Sequence, residues 1–218
     1  MKLDLGCGSR KHPGFLGMDA APLDGVDIVC GLNDKFPLPD DSVEFVMAAR
    51  TLPFVQDLFA VLGEIYRVSM HKAVVCILAP YAHTYHYISN PHIRHKFDEH
   101  TPRHLTPAFY QPPQGPACPE IPHYADVVRP SIDFRLLRME LFYLPPYRSP
   151  IFEEEELEIL QQLQLNVVDE IMYHFLVVKE DIELGELDRL SRTVFEEPVD
   201  ARELRAALTE EDGDGASD

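Results

Sequence analysis

Leu3-Asp4-Leu5-Gly6-Cys7-Gly8 is the stretch on which the fold turns. It reads as an apolar strand running into a two-glycine turn, with Asp4 as its one acid. A main chain that bare at Gly6 and Gly8 lets a ligand approach the backbone N–H groups closely. A second apolar run, Phe15-Leu16-Gly17-Met18, ends at Asp19, where a carboxylate can accept from a pair of ribose hydroxyls. Ligands of open α/β sheets lie beyond the carboxyl ends of the strands, so two acids at neighbouring strand ends frame a nucleoside-sized site. The dinucleotide fingerprint asks for more: a third glycine opening a full helix, and its acid about 20 residues further on. Ser9-Arg10-Lys11-His12-Pro13-Gly14 lacks that glycine, and Pro13-Gly14 halts a long helix. Pyrophosphate binding is therefore disfavoured.

Working outward, apolar runs predict strands near 2–5, 15–18, 26–30, 43–48 and 73–79. Leu58, Val61, Leu62, Ile65 and Tyr66 recur at helical spacing and predict an amphipathic helix over 56–69. A proline-dense stretch from Pro102 to Pro130 is too broken for regular elements and long for a structureless loop, which points to function or mobility. Ile132 to Tyr143 reads as a sixth strand, 153–164 as a helix, and Asn166 to Val178 as holding the last strand. Residues 181–192 and 199–209 read as helices with polar outer faces. No internal repeat is present.

The turn and the segments after it resemble the class I S-adenosylmethionine (SAM) dependent methyltransferases, in the type 11-like branch whose first crossover is short. Gly6 and Gly8 match its glycine motif. Phe36-Pro37-Leu38-Pro39-Asp40-Asp41-Ser42-Val43-Glu44-Phe45-Val46 matches the segment leading into its fourth strand, and Leu62-Gly63-Glu64-Ile65-Tyr66-Arg67-Val68 resembles the helix end that follows. Val74 to Pro80 then resembles the fifth strand. The resemblance implies a Rossmann-like, doubly wound mixed sheet of about seven strands with one antiparallel edge strand. It implies SAM as cofactor, with Asp4, Gly6, Cys7 and Gly8 at its methionine end, Asp19 at the ribose, and Leu32 and Asn33 at the adenine.

The chain departs from the pattern in places. Gly31 stands where an acid is common, the exit of the fourth strand reads Arg50-Thr51-Leu52-Pro53-Phe54, and Met70-His71-Lys72-Ala73 replaces a glycine-containing turn. The sequence begins two residues before the motif, so the helix that usually precedes the first strand is expected to be absent. A homo-oligomer or partner subunit is then expected to cover that side.

Composition sets further bounds. The 218 residues suit a single α/β domain, expected over 1–179, with 80–130 as an irregular His/Pro-rich insertion on the substrate side and 180–218 as an acidic helical tail, disordered at its end. Thirty-seven acids against 19 Lys plus Arg give a net charge of −18. That argues against direct binding of nucleic acid, which needs a basic surface. Cys7, Cys30, Cys76 and Cys118 lack metal or disulfide spacing and read as reduced thiols of a cytoplasmic protein. No apolar run approaches the ~18 residues of a membrane span, and no secretory leader is evident.

Histidines crowd the segment after the fifth strand: His83, His86, His92, His95, His100 and His104. Asn90-Pro91-His92-Ile93-Arg94-His95-Lys96-Phe97 resembles the element that closes the substrate side in the type 11 branch. A metal site would need an ordered ligand spacing that is not there, so none is assigned. A polar loop bonded to backbone and water is one reading. A substrate-side role is the other, with His83, His86 and Tyr81 as candidate bases and Arg50, His92 and Arg94 as substrate contacts. The sequence thus reads as a methyltransferase of a small molecule or biosynthetic intermediate. The alternatives are an inactive binding scaffold or a subunit of a complex that modifies protein or RNA.

Overall fold

The structure is a computed structural model that describes residues 1–121, 131–149 and 151–210, with side chains through 205. Seven strands form one sheet: β1 (Lys2–Leu5), β2 (Leu16–Asp19), β3 (Ile28–Val29), β4 (Val43–Ala49), β5 (Ser69–Pro80), β6 (Phe134–Tyr143) and β7 (Val168–Val177). Their order across the sheet is β3-β2-β1-β4-β5-β7-β6. The first five are parallel, with Leu3 opposite both Leu16 and Val46. β7 runs antiparallel to β5 and to β6. The antiparallel strand therefore lies one place inside the edge and forms with β6 the antiparallel edge of the sheet. The connection between β6 and β7 explains this: the chain returns through α3 (Glu154–Leu163) and inserts β7 beside β5.

One face of the sheet is covered by α1 (Leu58–Val68), which buries Val61, Leu62, Ile65 and Val68. Asp57 caps its start by accepting the Ala60 N–H, satisfying one donor that the first turn leaves free. A short helix α2 (Tyr85–Ile88) follows β5. Neither the β1–β2 nor the β2–β3 connection contains a helix, in keeping with Pro13-Gly14. The other face is covered from the far end of the chain. Helix α4 (Leu184–Ser191) buries Leu187 against Leu137, Leu176 and Val178, and α5 (Val199–Glu210) buries Ala201 among Phe15, Phe45, Met47 and Cys76. Residues 180–205, read from sequence as a tail, are thus packed on the domain. The expected disordered end, 211–218, lies outside the described residues, as do 122–130 of the proline-dense stretch. Before that gap the stretch holds one short 3-10 turn, Thr101–His104.

Candidate active site

The glycine turn sits at the carboxyl end of β1, where the Gly6 and Cys7 N–H groups both donate to the Met18 carbonyl of β2, at 2.7 and 3.4 Å. Both glycines have positive φ, +63° at Gly6 and +53° at Gly8, a region that side chains strain. Their surroundings differ. A Cβ on Gly6 would collide with Oγ1 and Cγ2 of Thr51, whereas a Cβ on Gly8 would meet nothing within 4 Å. Gly6 is glycine because Thr51 packs on it; Gly8 faces open space.

Asp19 holds the turn from the end of β2. Its Oδ2 accepts the Gly8 N–H at 3.0 Å and its Oδ1 the Ala21 N–H at 2.9 Å. Asp4 is buried, with Oδ2 accepting the His12 N–H at 2.8 Å. Burial raises its pKa above the usual carboxylate range, opposed by that hydrogen bond and by the nearby His12 and Lys11. Cys7 is buried, and its thiol is pushed up by burial and then by Asp4 and Asp19, with a backbone hydrogen bond and Lys11 opposing. Leu32 packs into the main core, and Asn33 is exposed with Oδ1 accepting the Gln56 N–H at 2.7 Å.

Asp4, Gly6, Cys7 and the Arg10–Pro13 loop line a cavity of about 330 Å³, and its opposite wall is the start of α5. Asp200 and Glu203 face the cavity from that helix. The start of the chain's own α5 thus closes this side of the crevice. Asp200 ties α5 to the rim, accepting Arg10 Nη1 at 3.2 Å and pairing with Arg50. Arg10, Asp200 and Glu203 had no signal in the sequence beyond their charge.

Arg50 corrects an expectation. Read as a free substrate contact, it is instead gripped by the buried Glu170 of β7, through Nε and through Nη2 at 2.6 Å, and by Asp200. Glu170 in first place, opposed by burial, holds the guanidinium charged. A group with its donors so engaged has little left for a substrate.

Tyr81 is also corrected. It follows β5 directly and donates to both oxygens of the buried Glu99, at 2.9 and 2.8 Å. Burial, then Glu99, pushes its phenol far above the usual range, and its hydrogen is engaged by Glu99. His83 is exposed, edge-on to Tyr81 at 5.3 Å, and lines a separate cavity beyond β5. His86 is exposed on α2 against Tyr87. His92 and Arg94 are exposed, and the Arg94 N–H anchors its loop to the Pro53 carbonyl at 2.8 Å. The histidines do not converge: among the described residues no three His, Cys, Asp or Glu side chains form a group that could hold a metal ion.

Residues 16–77 match a family model described as a methyltransferase domain, of type 11. A SAM-dependent methyltransferase from Archaeoglobus fulgidus has a similar fold at 14% identity, covering 80% of this chain and 85% of that one, with a TM-score of 0.50. The chain carries a type 11-like class I methyltransferase fold. Another structure similar to this methyltransferase fold is a Haloferax volcanii complex between the Trm112 methyltransferase activator and a protein named there as a methyltransferase, at 15% identity, covering 84% of this chain and 83% of that one, with a TM-score of 0.49. No curated protein matches the sequence. No helix among the described residues is long and apolar enough to cross a membrane.

Proposed function

We propose that this protein is a SAM-dependent methyltransferase acting on a small-molecule or biosynthetic-intermediate acceptor. The observation that carries the reading is Asp19, held against the Gly8 N–H at the end of β2 with open space over Gly8. An ionised carboxylate offers about four acceptor positions, and main-chain N–H groups use two of them. The remainder suits the two hydroxyls of a ribose. The residues of the crevice fit the amino-acid end as well. Arg10, which gives only Nη1 to Asp200, keeps donors that can meet a carboxylate, while Asp4 and Glu203 can meet an ammonium, so the wall complements a zwitterion. The cavity volume lies at the lower end of the range for small-ligand pockets, about 300–1,000 Å³. Gly6 and Cys7 contribute main chain to this end, and Leu32 and Asn33 border the adenine side.

SAM, when bound, supplies a methyl group made electrophilic by its sulfonium. The chain's own contribution is alignment and exclusion of water, since no covalent enzyme intermediate is required. The α5 wall closes the crevice from one side, and Arg50 pins that wall through Asp200. Of the three base candidates, His83 keeps an exposed imidazole and lines the cavity beyond β5 that is separate from the crevice. His86, His92 and Arg94 stand on the outer side of the same segment, where they can meet a substrate as it enters. The protein acts in the cytoplasm in this reading.

Calorimetric titration with SAM tests the proposal. Micromolar binding that S-adenosylhomocysteine displaces supports it. Silence favours the second reading, a binding scaffold without catalysis, which has one observation behind it: the Asp200 contacts to Arg10 and Arg50 draw α5 across the crevice. Co-purification of a basic subunit would support action within a complex on protein or RNA.

A further inference from the structure

A cavity of about 360 Å³ opens past the end of β5, between Tyr81, Glu99 and α3. It shares no described lining residue with the glycine-turn crevice. Its polar wall is rich in acceptors. Glu99 is buried, and the single phenolic hydrogen of Tyr81 is shared between its two oxygens, so most of its accepting capacity is unused. Gln161 of α3 is 7% exposed and lines the same space, and its Oε1 is buried with no hydrogen-bond partner among the described residues. Buried acceptors are nearly always satisfied, so an orphan beside a cavity marks a missing donor.

Besides its carboxylates the cavity wall carries two imidazoles, His83 and His100, and the Arg103 guanidinium stands just outside it on the Cys118 carbonyl. Glu158 adds a second carboxylate at the exposed rim, and no Lys or Arg is among the described lining residues. The nearby Tyr143 hydroxyl registers the field: it is pushed up to about 12 by burial and then by Glu154, Glu158 and Glu99. An anion would meet that field unfavourably, and a metal ion lacks a converging ligand set among the described residues. A ligand that completes this wall brings N–H donors, a positive charge and a short apolar body to lie along Tyr81, Pro116 and Ala117.

We propose that this cavity binds an aliphatic amine, its ammonium hydrogens completing Glu99 and Gln161. His83, the base candidate of the proposed function, lines this same cavity, and because amine binding is measured without SAM, failure of this proposal is distinguishable from failure of that reading.

The test is calorimetric titration of the full chain with putrescine and n-butylamine, with butanediol and succinate as neutral and anionic controls. The amines are expected to bind and the controls to give no saturable heat. Gln161→Leu removes the orphaned acceptor and is expected to weaken the amines by about tenfold or more, while cooperative thermal unfolding is retained. Absence of amine binding, equal binding of the diol, or unchanged affinity in Gln161→Leu overturns the proposal. Should that variant fail to fold, Glu158→Gln at the exposed rim serves instead. It is expected to lower amine affinity and flatten its salt dependence, and unchanged affinity there also overturns the assignment.

Discussion

Asp200 in the first turn of α5 pairs with Arg50, which stands 150 positions earlier at the end of β4, and the same guanidinium is held by Glu170. The two carboxylates differ in burial: Glu170 is 1% exposed and Asp200 16%. Removing Arg50 strands Glu170 as a lone buried charge, whereas removing Asp200 leaves Arg50 and Glu170 still paired. Arg50→Met is therefore expected to cost about 3–5 kcal/mol and Asp200→Ala about 1 kcal/mol in urea unfolding. Adding Glu170→Leu to Arg50→Met removes the stranded charge and is expected to restore most of the loss. Equal effects of the two single variants would contradict the arrangement.

The same pair makes α5 a wall of the crevice. Asp200→Ala frees the first turn of α5 from Arg10 and Arg50 while Ala201 stays buried. Faster amide hydrogen exchange is expected in residues 199–205, with the rates in β1 and β4 unchanged. Exchange unaltered in α5 would show that its packing, and not the ion pair, keeps it in place.

Asp19→Ala removes an acceptor for two main-chain N–H groups and, in the proposed function, for the ribose. The first loss is expected to lower stability by about 1–2 kcal/mol, and the second to weaken SAM binding by about 1–3 kcal/mol. The two separate experimentally, because denaturation without ligand reads the first and calorimetry of the folded variant reads the second. Undiminished affinity would take Asp19 out of the cofactor site.

The two glycines of the turn are expected to respond differently. Gly8→Ala places a methyl group in open space at a positive φ, so its cost in stability is about 1–2 kcal/mol and its main effect is on a ligand lying over the turn. Gly6→Ala meets Thr51 as well and is expected to destabilise more. Thr51→Ala removes Oγ1 and Cγ2 and leaves the Cβ of residue 51 at 3.0 Å, so the double variant is expected to regain part of the loss. Thermal unfolding of the four proteins reads this directly.

The strands and α1 were legible because they are local. Period and apolar runs name β1, β2, β4, β5 and α1 within a few residues, and Pro13-Gly14 states that the first crossover carries no helix. The cofactor wall was not legible, because the polar surface of α5 reads as solvated in isolation and Ala201 is too small to announce a buried face. Arg50 and Tyr81 looked free for a related reason: their partners Glu170 and Glu99 reach them only through the sheet pairing of β5 with β7 and the fold of the 81–99 segment. Side chains placed by distant elements leave no periodicity to read.

His174 of β7 gives the protein a pH dependence unrelated to the crevice. It is fully buried and stacked on Phe195, with Nε2 3.1 Å from the Glu196 carbonyl and Nδ1 unpartnered among the described residues. Cys76 of β5, Arg138 and Glu140 of β6, and Glu197 before α5 surround it. Burial lowers its pKa to about 4, with the Glu196 hydrogen bond opposing. Since the folded value lies below the unfolded 6.5, the unfolded chain holds more protons between the two, and stability rises with pH across that window. The contribution is complete above about pH 6.5, is lost as pH falls toward about 4, and amounts to about 3 kcal/mol. His174→Phe keeps an aromatic ring beside Phe195 and cannot titrate, so its urea midpoint is expected to lose this slope between pH 4 and 6.5 relative to the parent. Parallel curves for the two proteins would mean that His174 is already protonated in the fold.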